Sequence, residues 1–265
     1  MKNQYFGDIN DYRKYSLLRT LSGQGELKTA VCWALTPDDA RSDGSRIGYL
    51  DRPDEWQRYD PQVFDFLRRA VRGGGDRRVK LVENHWILPN SRFFGDLLPD
   101  DAPSREMYFD RFFDFAKGAE IVFFDPDNGL SVQSVKRGGK QSSKYVYEDE
   151  IERAYLAGHS VLLYQHFPRQ PREEYTRGLV SRLSELPRLS FSLAYRTTTV
   201  VFVLLPQPRH QKRLVANSAN LASRWGGAIV VERFNLQGGG APTSIPLEAT
   251  RRPAAARRVK AGCAG

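Results

Sequence analysis

The 265-residue chain predicts an α/β domain, with a mainly parallel sheet, an antiparallel edge and helices on both faces. Three observations carry this. Short apolar runs bounded by turn residues, Leu27–Leu35, Ile121–Phe124 and Ser160–His166, read as buried strands. Segments with apolar residues at helical spacing alternate with them, as in βαβ units. Two β-rich runs, Leu189–Arg196 and Thr199–Leu205, flank a Thr turn and predict a closing strand pair.

The elements follow in order. Gly7–Leu21 predicts a helix with an exposed start, capped by Asp8 or Asn10, with Tyr15, Leu17, Leu18 and Leu21 on its apolar side. Leu27–Leu35 is the first strand, and Thr36–Tyr49 a polar loop. Pro61–Val71 is a helix ended by Gly73-Gly74-Gly75. Val79–Val82 reads as a short strand, Asn90–Leu98 as a short helix and Arg105–Lys117 as a Phe-rich helix. After the Ile121–Phe124 strand, Ser131–Ser143 reads as a mobile basic loop. Helices are predicted over Tyr147–Ala157, Arg172–Leu186 and Gln207–Trp225, and a last strand over Ala228–Phe234. Rossmann-like sheets of the class I methyltransferase type close in a similar way, with strand, helix, strand, helix and then a hairpin.

Composition narrows the function classes. No apolar run approaches the ~20 residues of a membrane span, and the polar N-terminus lacks a signal-peptide apolar core. A cytoplasmic protein without a membrane partner is expected. Two distant cysteines, Cys32 and Cys263, make neither a zinc spacing nor a disulfide framework. The net charge is +9, a balance that favours a polyanion such as RNA or DNA. Residues 238–265 carry five basic residues against Glu248, a net +4, which leaves +5 on residues 1–237. Their Gly, Ala and Pro content predicts a disordered tail after a single domain.

Four polar clusters could carry chemistry. In Gly7–Lys14, Asp8, Asp11 and Lys14 are spaced by three and share a helix face. Asp125-Pro126-Asp127-Asn128-Gly129 follows a strand, where open α/β sheets bind ligands. It also has the composition of an ordinary Asx-type turn. Tyr164–Arg169 offers His166 as a general base or metal ligand and Arg169 for phosphate. Asp125, Asp127 and His166 together could bind Mg²⁺ or Mn²⁺ for hydrolysis. Thr36–Gly44 holds Asp38, Asp39 and Asp43, which could meet a ribose hydroxyl or a metal. Lys136, Arg137 and Lys140 on the basic loop, with Arg169, are the candidate nucleic-acid contacts.

The spacing Gly7-x3-Asp11-x2-Lys14, followed by Leu17, Leu18 and Leu21, resembles the opening of the 23S rRNA adenine-N6 methyltransferase family. Pro89-Asn90-Ser91 stands where that family has Pro-Gly-Ser. Asp125-Pro126 stands where it has catalytic Asp-Pro-Pro-Tyr, with Asp127 and Asn128 in the last two places. The glycine-rich cofactor turn has no counterpart in Thr36–Gly44. The resemblance implies a Rossmann-like fold and adenine-N6 methylation of nucleic acid with S-adenosylmethionine. It implies Asp125 in catalysis with Lys14 beside it; with the polar clusters above, His166 joins the catalytic candidates, and Asp8, Asp11, Asp38, Asp127 and Asn128 are the candidate cofactor contacts. Ile121–Gly129 also resembles the Asp-x-Asp motif of haloacid-dehalogenase phosphatases, which would make Asp125 a nucleophile and Asp127 an acid/base beside magnesium. A third reading is a relic of the fold that binds a nucleotide without chemistry.

Overall fold

Strands without polar side chains, such as Ile121–Phe124 and Val200–Leu205, persist only where both sheet faces are covered. The computed structural model of the chain, which describes residues 1–39, 44–75, 77–236 and 243–244, covers both faces. Its elements begin with α1 (Ile9–Leu21), β1 (Thr29–Cys32), α2 (Pro53–Trp56), α3 (Pro61–Arg72), α4 (Lys80–Asn84) and β2 (Ser91–Phe94). Next come α5 (Ala102–Ala116), β3 (Ile121–Phe124), β4 (Gly129–Leu130), β5 (Tyr145–Val146), α6 (Glu148–Leu156) and β6 (Ser160–His166). The remainder is α7 (Arg172–Arg182), β7 (Phe191–Arg196), β8 (Val200–Leu205), α8 (Gln211–Trp225), β9 (Val230–Asn235) and β10 (Thr243–Ser244).

Eight strands form one sheet in the order β10-β9-β7-β8-β6-β3-β1-β2. β2, β1, β3 and β6 are parallel, with Val31 opposite Phe123 and Phe124 opposite Leu163. β8 is antiparallel to β6 and β7, β9 to β7, and β10 to β9. Six strands therefore point one way, with β8 and β9 reversed. The α/β class and the antiparallel edge are as the sequence predicts, and β9 and β10 widen that edge. Alternate strand residues point to opposite faces. Val31, Phe123, Leu162 and Phe202 pack under α1, α3 and α8. Cys32, Phe124, Leu163 and Val203 pack under α5, α6 and α7. No helix among the described residues is long and apolar enough to cross a membrane.

Four local expectations are corrected. Val79–Val82 is no strand, because the chain there turns into α4, and so short a run carries no usable period. Asn90–Leu98 holds strand β2 instead of a helix. It closes the open edge of β1, and Phe93 stacks on Trp33 with ring centroids 5.7 Å apart. The start of α1 is not exposed: all thirteen of its residues are buried, with Tyr12 packed among Tyr49, Phe64 and Trp225. The loop after Leu130 is pinned, not mobile. Asp100 accepts from the backbone of Gln141 and Ser143, and buried Arg105 donates to the Ser142 and Tyr145 carbonyls and pairs with Glu150. Apart from Thr243 and Ser244, which pair with Arg233 and Glu232, the tail expected to be disordered lies outside the described residues.

Candidate functional site

The carboxyl ends of β3 and β6 and the first turn of α1 enclose a cavity of about 610 Å³. Asp125, the first residue past β3, extends the β1 pairing by donating its N–H to the Cys32 carbonyl. Pro126 cannot donate to a ladder, so the strand ends there. The turn that follows depends on Gly129, whose φ of +117° favours glycine. A Cβ at this position would overlap the Gln165 amide. That amide braces the turn, accepting from Leu130 N and donating to the Asn128 and His166 carbonyls.

Across the cavity, α1 starts at Asp8, which accepts from Asn10 N at 2.9 Å and pairs with Arg46 at 3.3 Å. Asp11 accepts from Gly7 N at 3.0 Å. Gly7 itself has φ +83°, and a Cβ there would strike Val71. Lys14 lies one turn on. Its Nζ is 2.7 Å from Asp11 Oδ1, 2.7 Å from Asp125 Oδ2 and 5.3 Å from the Tyr164 ring centroid. Residues 111 positions apart thus share one buried ion cluster. Burial works against the Lys14 ammonium, but the Asp11 and Asp125 charges outweigh it and its pKa rises. Asp11 is raised as well, first by burial and then by the Asp125 and Asp8 charges, against the pull of Lys14.

The other side of the Asp125 turn holds an ammonium group. The Met1 amine lies 2.8 Å from Asp127 Oδ1 and donates to the carbonyls of Ala34, at 3.1 Å, and Asp125, at 2.9 Å. Thr36 Oγ1 donates to Asp127 Oδ2 at 2.7 Å. Burial would raise the Asp127 carboxyl, but the Met1 ammonium and these hydrogen bonds hold it below its ordinary value. Around this cavity four carboxylates (Asp8, Asp11, Asp125 and Asp127) face three cations (Arg46, Lys14 and the Met1 amine). Among the described residues that line it, carboxylates outnumber cations by one.

Of the residues singled out in the sequence, Asp8, Asp11, Lys14, Asp125, Asp127, Asn128 and His166 converge on this cavity. Asp38 does not line it; it is exposed and accepts from Gln4 N, tying down the N-terminal segment. Lys136, Arg137 and Lys140 are exposed on the pinned loop and line neither this cavity nor the neighbouring groove. There Arg137 pairs with Asp149 and lies over Tyr147. Arg169 lies in the adjoining groove of about 630 Å³, which shares His166 and Thr199 with the cavity and adds Phe167 and Arg172. His166 is exposed, its Nδ1 3.1 Å from the Phe167 carbonyl. Among the described residues no three His, Cys, Asp or Glu side chains gather as a metal-binding group, so Asp125, Asp127 and His166 do not form the set a hydrolase metal needs.

Sequence reasoning missed Tyr164, Arg46 and Thr199, which donates to Asn10 Oδ1 at 3.0 Å. It also missed Gln165 as the brace of the turn. Only Tyr164 and Gln165, next to His166, had a signal in the sequence.

S-adenosylmethionine carries an ammonium and a sulfonium, and the acceptors here suit that chemistry. Ala34 O, Asp125 O and Asp127 already hold an ammonium, and the net charge of the wall favours another cation. The chain after β1 has no glycine turn, and buried Met1 occupies the ammonium seat, so such a ligand would take the place of Met1. No protein-family model matches the chain, and no curated protein matches it.

Proposed function

We propose that this cavity binds S-adenosylmethionine and the exocyclic amine of a nucleic-acid base, and that the chain is a methyltransferase of the adenine-N6 type. The observation that carries the reading is Asp125, a carboxylate at a strand's carboxyl end, held by Lys14 through one oxygen inside a pocket with excess negative charge. Among the described residues Lys14 engages only Oδ2, so Oδ1 can accept an N–H from the base amine. Lys14 stays protonated and orients the carboxylate. Ala34 O, Asp125 O and Asp127 would hold the cofactor's ammonium, and the bound cofactor supplies the electrophilic methyl group. Tyr164 offers a ring face beside Asp125, and Arg169 and Arg172 suit the phosphates of the strand carrying the base.

A second reading, a ligand-binding relic of the fold, is favoured by one fact. Met1 and Lys14 already satisfy several acceptors that methyl transfer needs. One experiment separates the two. S-adenosylmethionine at about 100 times its Kd should stabilise the protein by about 2.7 kcal/mol. Label from its methyl group should appear on adenine-containing RNA or DNA, and Asp125→Asn should bind the cofactor but transfer nothing. Binding without transfer by the wild type favours the relic; neither binding nor transfer removes the methyltransferase reading.

A further inference from the structure

A second cavity, of about 710 Å³, lies between the end of α3 and α4, away from the carboxylate site. Its floor is Phe66, and its rim carries Arg69, Arg78, Lys80 and His85. Among the described residues no acidic side chain lines it. From Phe66 to Trp86 the sequence holds six Arg or Lys residues (68, 69, 72, 77, 78 and 80) against Asp76 and Glu83. Asp76 lies outside the described residues. Glu83 is already engaged, pairing with Lys80 at 2.8 Å and accepting from Trp33 Nε1 at 3.0 Å. The His85 ring tilts against Phe66, with centroids 5.4 Å apart. The next residue, Trp86, is 81% exposed at φ +54°, a conformation uncommon for a bulky side chain. Burying that indole would be favourable, and among the described residues it stays exposed.

We propose that this groove binds single-stranded nucleic acid, with Trp86 at its end as a base-stacking platform and Arg69 and Lys80 along the phosphates. An exposed aromatic next in sequence to a groove with a basic rim offers what sequence-tolerant strand binding requires: charge for the backbone and a ring face for the bases. The groove is also tied to the carboxylate site. Arg77 donates to the Phe6 and Gly44 carbonyls, at 2.6 Å each, and Phe6 packs edge-on to Phe66. A strand held here runs beside the Phe6–Asp8 segment that opens the other cavity. The inference does not depend on methyl transfer.

Tryptophan fluorescence of the full-length chain tests it. Trp33 and Trp225 are fully buried, so a quench on adding single-stranded oligonucleotide reports mainly on exposed indole. The expected result is a saturable quench that Trp86→Phe removes, with Trp86→Ala weakening binding about tenfold. Affinity should fall between about 50 and 200 mM salt, and Arg69→Ala should reduce the log–log slope by about 0.7. Arg153→Ala, an exposed change on α6 across the sheet, should leave all of this unchanged, and S-adenosylmethionine binding measured separately by thermal shift separates failure here from failure at the carboxylate site. Heparin, a polyanion without bases, should bind more weakly and leave the emission unchanged. Equal affinity for heparin, binding without a quench, or no binding at low salt would each overturn the proposal; melting curves of each variant confirm that it is folded.

Discussion

Replacing Lys14 by Met keeps most of the apolar stem and removes the ammonium that joins Asp11 to Asp125. Both carboxylates have side chains at most 3% exposed, so water cannot take over the lost charge. Deleting one partner of a buried pair costs about 3–5 kcal/mol. The two pairs share one cation, so the costs do not add. For a domain of this size each kcal/mol lowers Tm by about 2–4 °C, which puts the expected drop near ~10 °C at neutral pH. The pH dependence gives a second, sharper test. Asp11 is already raised in the wild type by burial and by its acidic neighbours, and losing Lys14 raises it further. A carboxyl whose folded pKa is raised disfavours the fold once it is ionised. The variant's deficit should therefore grow as pH rises above the ordinary carboxyl value of 3.8 and shrink as acid protonates the cluster. In the wild type the raised Lys14 contributes its full stability below its ordinary value of 10.5 and loses it only above, so Lys14 itself adds no slope at acid and neutral pH. Thermal melts of both proteins across pH, with Lys14→Met/Asp125→Asn as the partial rescue, measure this. A Tm loss under about 3 °C, with no dependence on pH, would refute the view that Lys14 is the shared partner of two buried charges.

Three further outcomes are expected. Gly129→Ala must adopt φ +117° and push into the Gln165 amide, so its urea midpoint should correspond to a loss of about 3 kcal/mol; a change under about 0.5 kcal/mol would remove the strain argument. Asp127 is held below its ordinary 3.8, so its stabilisation is present above that value and is lost as pH falls through the folded one. Asp127→Asn should therefore be less stable than the wild type at neutral pH, with the gap closing in acid melts. Burial pushes the Cys32 thiol up to about 12, so mass mapping should find it unmodified by a thiolate-selective reagent at mildly alkaline pH until denaturant is added.

The parts legible in the sequence were those that depend on local chemistry. Ile121–Phe124 could only be a buried strand, and a Pro-Asp-Asn-Gly run could only be its end. Asp8, Asp11 and Lys14 carried spacing information that placed them together on one helix face. What the sequence could not show came from contacts between distant segments. Ser91–Phe94 pairs because β1 lacks a neighbour on that side, and no local preference encodes that vacancy. The polar residues that open α1 predicted an exposed start, yet segments up to Trp225 enclose the helix. Asp38, beside a strand end, had the composition of a ligand residue, but the N-terminal segment claims it through Gln4. Tyr164 stood in the cluster that ends at Arg169, but nothing local gave it a role, because its contact with Lys14 crosses from β6 to α1.

The burial of α1 bears on why the charges are there at all. A buried ion cluster is weak support for a fold, because apolar side chains of similar volume often do as well or better. Asp11, Lys14 and Asp125 lie in a core otherwise packed with Tyr12, Tyr15 and Leu18, where such a replacement has space and neighbours. Folding therefore gives little reason to keep three charges, and still less to keep two carboxylates for one ammonium. The imbalance makes sense if the missing positive charge arrives with a ligand. On that account Asp11→Asn, which balances the cluster, should hold stability near the wild-type level while weakening any cationic ligand. If Asp11→Asn instead destabilised the protein as much as Lys14→Met, the cluster would be structural and the unmatched charge would say nothing about what binds.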